Sequence, residues 1–405
     1  MPALVPIVLF LANFLNYLDR QLFSALFPVV VPAFRLSDPL VGALGSAFTL
    51  SYLVAAPLAG YLSDRLPPRR ILAGGVLVFS AGMWLCAMAD GTAELFLGRM
   101  LTGVGEAALF VVGPQSMGVD RGAGRRLAIF LSAMPLGGAA GFVVATHATT
   151  TTFRHLLLLP VLPGALLAAF LLVIAFPFPA KGASPVRLRE LFALFRSDRS
   201  LYSIMIVEGT NIFVLGGMAV WISLYLTREK HLSMNTASSL TGLALVSGGL
   251  VGILMSGFLC DRLSPKNIRG LFLFLQGSQV LSLAGIWVVM LSPGGPLLFC
   301  GLLVASIGLF GTNVPVLIAL LRKSPPIMWG TLLGGVLFVA HLFGDLPSAT
   351  VIGLAASRIG LSRALELLLP GPVLIGIFSV WIVLRGKEGG KPLDFRTGSD
   401  DARTS

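Results

Sequence analysis

The chain is built of apolar blocks close to the roughly 20 residues that carry a helix across a bilayer, separated by short stretches in which Arg and Lys collect. The blocks are cut at 4–30, 40–62, 71–89, 93–117, 127–148 and 155–178, and again at 201–226, 238–260, 268–291, 296–321, 328–354 and 364–385. Six and six predict an all-α membrane protein with twelve transmembrane helices in two six-helix bundles. Composition agrees: 56% of the 405 residues are hydrophobic and 12% are charged, about half the charged share of a soluble domain. That excludes an ordinary water-soluble enzyme, and so much apolar sequence excludes a disordered chain. The first block carries Asn13, Asn16, Asp19 and Arg20 and lacks a basic leader, so it is expected to stay as the first span.

Orientation follows from the basic residues. Of 29 Lys and Arg, 21 lie in the segments that share a side with both termini, six lie opposite, and Arg20 and Arg99 lie within spans. By the positive-inside rule both termini are cytoplasmic, in the inner (cell) membrane. The same bias accounts for most of the +11 net charge without nucleic acid as a partner. Cys86, Cys260 and Cys300 all fall in apolar spans and are expected to pack there. The expected domains are a bundle over 1–178, an amphipathic cytoplasmic linker over 179–200, a second bundle over 201–385 and a polar tail over 386–405.

The two halves repeat one another. GYLSDRLPPRR (Gly60 to Arg70) follows the second span and GFLCDRLSPKN (Gly257 to Asn267) the eighth, at an offset of 197 residues. In this pattern Gly60 and Gly257 let helices approach closely, and Asp64 and Asp261, followed by Arg65 and Arg262, can hold a loop arginine or a neighbouring helix N-terminus. These are the candidate gate loops.

Ionisable groups inside spans are expensive and therefore functional candidates. Asn13, Asn16, Tyr17 and Arg20 share one face of the first span with Asp19 at its border. Arg99 and Glu106 stand two turns apart on the fourth span, and Gly103 and Gly105 would admit another helix, for which the first is the expected one. A shared site for Asp19, Arg99 and Glu106 follows, in which a carboxylate that gains and loses a proton releases and holds the arginine. A fixed ion cluster that only specifies packing is the alternative. In the second half His341 and Asp345 are four residues apart on one face, and Pro347 removes a helix hydrogen bond to Phe343. Glu208, near Thr210 and Asn211, is open to two readings, substrate or ion contact and helix packing.

NYLDR (Asn16 to Arg20), GRMLTGVGEA (Gly98 to Ala107), the run from Asp120 to Gly141, DRS (Asp198 to Ser200) and HLFGDLPSATVIG (His341 to Gly353) together resemble the Spinster branch of the major facilitator superfamily. The repeated loops are similar to that superfamily's signature loop. The resemblance implies the major facilitator fold and transport of lysophospholipids, sphingosine phosphate or similar single-chain lipids by alternating access. It implies proton coupling through Asp19 and Glu106 with Arg99 as cationic partner, no cofactor beyond the proton, and His341 touching substrate or gate. Glu208 and Ala349 depart from the branch's pattern.

Three functions are weighed. The first is a proton-coupled secondary transporter of an amphiphile such as a lysolipid, acting as a monomer in the lipid bilayer. The second is a proton-coupled symporter of a small organic anion held by Arg20 or Arg99. The third, a multi-span enzyme, is opposed by four scattered histidines and the lack of a metal-ligand or nucleophile motif.

Overall fold

In hydrocarbon every backbone N–H and C=O must find its partner within the chain, and a helix satisfies them locally. The computed structural model describes residues 4–36, 38–149, 151–174, 188–263 and 268–386, and all regular structure among them is helical. The first half holds spans at Leu4–Ala25 continued by Phe27–Ala33, Asp38–Ser63, Pro68–Met88, Thr92–Val112, Ala123–Ala145, and Phe153–Leu158 continued by Val161–Val173. The second half holds Ser200–Arg228, Met234–Leu263, Ile268–Leu291, Gly295–Gly311 with Asn313–Arg322, Trp329–Phe343 with Asp345–Ile359, and Leu361–Leu368 with Pro370–Arg385. Eleven of these twelve are long and apolar enough to cross a membrane by composition alone. The first is the twelfth helix of the fold, and its polar residues account for its lower mean hydropathy.

Within the first half, span 1 packs on span 5, and span 4 on spans 2 and 3; within the second, span 10 packs on spans 8 and 9, and span 7 on spans 11 and 12. The halves meet where span 2 lies on span 11 and span 5 on span 8. Small residues make these approaches possible. A side-chain carbon on Gly60 would overlap the carbonyl of Gly330, and one on Gly257 would overlap Ala128 and the carbonyl of Gly124. The expectation for Gly103 and Gly105 is corrected: Gly103 abuts the backbone of Phe48 and Tyr52 in span 2, and Gly105 that of Gly75 and Phe79 in span 3. Span 1 uses Gly137 and Gly141 of span 5 instead, against Phe14 and Leu18. The glycines of a helix mark a close crossing without naming the helix that crosses.

Span 11 breaks at Gly344, where φ is −94° and ψ −105°, three residues before Pro347. The break lets span 7 close in, since a Cβ on Gly344 would meet the Ile212 side chain at 2.8 Å and the Gly209 carbonyl oxygen at 3.0 Å. In the linker an amphipathic helix covers Leu188–Ser197 with Leu194 buried; Pro179 to Arg187 and the tail beyond Gly386 lie outside the described residues. Cys86 and Cys260 are buried as expected, whereas Cys300 is exposed on the surface of span 10 rather than packed.

Candidate functional site

The repeated loops form two reciprocal latches between the halves. Asp64, at the end of span 2, accepts hydrogen bonds from the backbone N–H of Gly330 (2.9 Å) and Thr331 (2.7 Å) and from the Thr331 hydroxyl (2.5 Å). Those donors are the first turn of span 11, where free N–H groups and the helix dipole favour an anion. Asp261, at the end of span 8, does the same in the other direction. It accepts from the backbone N–H of Gly122 (3.1 Å), Gly124 (2.9 Å) and Arg125 (3.1 Å), at the start of span 5. Gly122 has φ +99°, a left-handed conformation that favours glycine and turns its N–H toward the carboxylate. The adjoining arginines fold back on their own helices, Arg65 over the Tyr61 ring and Arg262 over Phe258. The face that carries these basic loops is shut.

Deeper in, the polar residues of the two halves converge. Asn13 anchors span 1 to span 5 by donating to the Phe130 carbonyl at 2.9 Å. The NH2 group of Asn16 donates to both oxygens of Glu106 at 2.8 and 3.1 Å, an orientation set by these bonds. Asp19 is buried at 1% exposure, and neither of its carboxylate oxygens has a hydrogen-bond partner in the protein. Arg99, also buried, makes no ion pair with Asp19 or Glu106. Its guanidinium lies 4.6 Å from the ring centroids of both Phe23 and Phe48, and Nε and Nη1 are unpartnered. Arg20 approaches the same Phe48 ring at 4.9 Å. Asp19, Arg99 and Glu106 are close enough to feel one another's charge, but the cation rests on aromatic faces and not on a carboxylate.

From the second half, His341 Nδ1 lies 3.0 Å from Asp345 Oδ1, and the imidazole packs edge-on against Tyr52 of span 2 with centroids 5.0 Å apart. This contact crosses between the halves, about 18 Å along span 2 from the Asp64 latch at twelve residues' rise. Glu208 is buried at 9% exposure with Oε2 unpartnered, within electrostatic range of His341, and also of Tyr17 in the opposite half. Asn211, one turn further along span 7, is buried with its Oδ1 unpartnered. Arg20, half-buried, is in range of both Glu106 and Asp345. Asn16, Tyr17, Asp19, Arg20, Arg99, Glu106, Glu208, His341 and Asp345 therefore form one linked polar cluster, with Asp19 and Arg99 inside the first bundle and Tyr17, Arg20, Glu208, His341 and Asp345 facing across the halves. Tyr52, Phe23 and Phe48 were not singled out in the sequence; the mid-span hydroxyl of Tyr52 was the available signal, whereas two phenylalanines in apolar helices carry none. Among the described residues no group of three or more His, Cys, Asp or Glu is placed to hold a metal ion.

On the outer side of the Gly209–Gly344 crossing lies an apolar groove of about 470 Å³ between spans 7, 11 and 12, lined by Met205, Phe213, Val339, Phe343, Pro372 and Ile375. Phe343 and Ile375 are exposed at its rim.

Two latched helix bundles around buried polar residues are the architecture of a membrane transporter. The chain belongs to the major facilitator superfamily, whose model matches residues 9–349. It is similar to protein spinster homolog 1 of Xenopus laevis, 27% identical over 398 residues that span 88% of this chain and 73% of the relative. It is 30% identical to the sphingosine-1-phosphate transporter SPNS2 of Mus musculus over 241 residues, 55% of this chain and 43% of that protein. Among solved structures, the human organic anion transporter MFSD10 (TETRAN) superposes with a TM-score of 0.79 at 18% identity, covering 93% of this chain and 98% of that one. A bacterial homologue of the human lysosomal transporter Spinster, inward-facing and unoccupied, superposes at 0.61 and 17% identity over 94% and 95% of the two chains. At these identities the structural likenesses concern the fold. The chain is a transporter and not an enzyme.

Proposed function

We propose that this transporter is proton-coupled and moves an amphiphilic, lipid-like substrate such as a lysophospholipid by alternating access, with both termini on the cytoplasmic side of the cell membrane. The observation that carries the reading is Asp19: a carboxylate inside a span, buried and without a hydrogen-bond donor, beside an arginine held on Phe23 and Phe48. An unpaired buried charge costs several kcal/mol, so the charge state of Asp19 is tied to where Arg99 rests. Proton gain and loss at Asp19 and Glu106 can then move Arg99 between aromatic and carboxylate partners and change the packing of spans 1, 2 and 4. A fixed ion cluster would instead show the arginine paired.

The single-chain lipid is supported by the likeness to Spinster homologues and to a sphingosine-1-phosphate transporter. The apolar groove between spans 7, 11 and 12 adds to that support. A small organic anion would have Arg20 as its partner, since Arg99 is engaged by two rings and buried. The test is pH-gradient-driven flux of a lysophospholipid in proteoliposomes. Asp19→Asn and Glu106→Gln are expected to abolish driven flux while leaving thermal stability intact; undiminished driven flux in both overturns the reading.

A further inference from the structure

With all its carboxylates ionised, the polar cluster is short of positive charge. It gathers four carboxylates, Asp19, Glu106, Glu208 and Asp345, against two guanidinium groups, Arg20 and Arg99, and one imidazole, His341. Tyr17 and Tyr52 add hydroxyls and no positive charge. The surplus is uneven. The first half contributes two carboxylates and two arginines, whereas the second contributes two carboxylates and only His341, which already bonds Asp345.

The hydrogen-bond inventory points the same way. On span 7, Glu208 Oε2 and Asn211 Oδ1 are buried oxygens without a donor, three residues apart and so on one side of the helix. Glu208 is more than nine-tenths buried, yet its charge is felt by His341 on span 11 and by Tyr17 across the bundle interface. A proton on Glu208 would remove its charge and supply one O–H donor for these oxygens. An organic ammonium supplies both a positive charge and up to three donors to neighbouring acceptors.

We propose that Glu208, with Asn211 one turn away and the His341–Asp345 pair beside it, is a recognition site for a cationic amine on the transported amphiphile, whose anionic group faces Arg20. This rests on the reading of the cluster as the binding site of a lipid-like substrate, and it narrows that substrate to one carrying both charges. Because the amine contacts the second bundle and the anion the first, such a headgroup spans the interface that alternating access must open and close. Glu208 acts as a specificity determinant; the Asp19–Glu106 side of the cluster retains the proton chemistry.

The test compares two lysolipids that share a palmitoyl chain and a singly charged phosphodiester and differ in the amine: lysophosphatidylethanolamine and lysophosphatidylglycerol. Equilibrium binding of each radiolabelled lipid is measured on the purified full-length protein, on Glu208→Gln and on Glu208→Asp, with thermal stability as the control for folding. The wild type is expected to prefer the ethanolamine lipid by about tenfold or more. Glu208→Gln is expected to lose that preference with little change for the glycerol lipid, and Glu208→Asp to keep most of it. Equal weakening for both lipids, or no change for either, overturns the amine site and leaves the lipid reading standing. Unchanged binding with loss of proton-driven flux of both lipids overturns it in favour of a proton site at Glu208. Failure of the wild type to bind either lipid overturns the lipid reading and the amine site with it.

Discussion

Replacing Asp64 with Asn keeps size and shape but removes the charge that holds the first turn of span 11. The carboxylate accepts three hydrogen bonds across the interface, from two backbone N–H groups and one hydroxyl. An asparagine offers one oxygen and turns an NH2 group toward donors. Hydrogen bonds to a charged group contribute about 1.5–3 kcal/mol each, and a carboxylate at a partly buried helix N-terminus up to ~2 kcal/mol, so a loss of about 2–4 kcal/mol is expected. These bonds exist only while the basic face is shut. The whole loss therefore falls on the closed state, shifting the population toward the open one by roughly 30-fold to 1,000-fold. Spin labels at the exposed positions Arg70, beyond span 2, and Pro326, before span 11, report the separation of the two halves by pulsed electron spin resonance. The wild type is expected to give one short distance and Asp64→Asn a second, longer one. Asp261→Asn removes the reciprocal latch, and the double variant is expected to populate mainly the long distance. An unchanged distance distribution in the double variant would refute the latch.

Gly60→Leu forces a side chain into the Gly330 backbone and is expected to hold the basic face open even with Asp64 intact, which trapping of a cysteine at Thr331 with a membrane-impermeant thiol reagent would reveal. Lys323 and Asp198 form a buried ion pair at 2.6 Å, and Asp198 also takes the Ser200 N–H at 2.9 Å, where the linker meets span 7. Lys323→Met strands that carboxylate and is expected to destabilise the protein by about 3–5 kcal/mol, with Asp198→Asn in the same chain restoring part of the loss in a thermal-unfolding assay. Phe48→Leu removes a ring that two arginines share and is expected to impair proton-driven flux while Phe48→Tyr preserves it; equal flux in both variants would remove the aromatic rest position from the mechanism.

Membrane spans and the internal repeat are legible in a sequence because both are properties of single segments: hydrocarbon demands length and low polarity, and GYLSDRL and GFLCDRL declare themselves by likeness. The latches followed from the same reasoning, since a carboxylate at the end of one helix needs a helix start or an arginine nearby. What the sequence leaves open is which surfaces meet. Glu106 and Asp19 could be placed near one another, yet that Arg99 would lie on Phe23 and Phe48 depends on spans 1, 2 and 4 converging there, and neither phenylalanine differs locally from many others. The break at Gly344 was foreshadowed by Pro347, and the interruptions at Leu26 and Thr312 carry the same mark in Pro28 and Pro315, which was not used. Glu208 was visible as a misplaced charge, and only its position against His341 and Tyr17 gives it a partner.

Proton coupling through Asp19 and Glu106 is tested most directly by following both ligands at once: a pH dye sealed inside proteoliposomes, with a lysophospholipid gradient as the sole driving force. Lysolipid entry is expected to carry protons and change the internal pH, and the pH change is expected to vanish in Asp19→Asn. Lysolipid movement in the wild type without any pH change would contradict it.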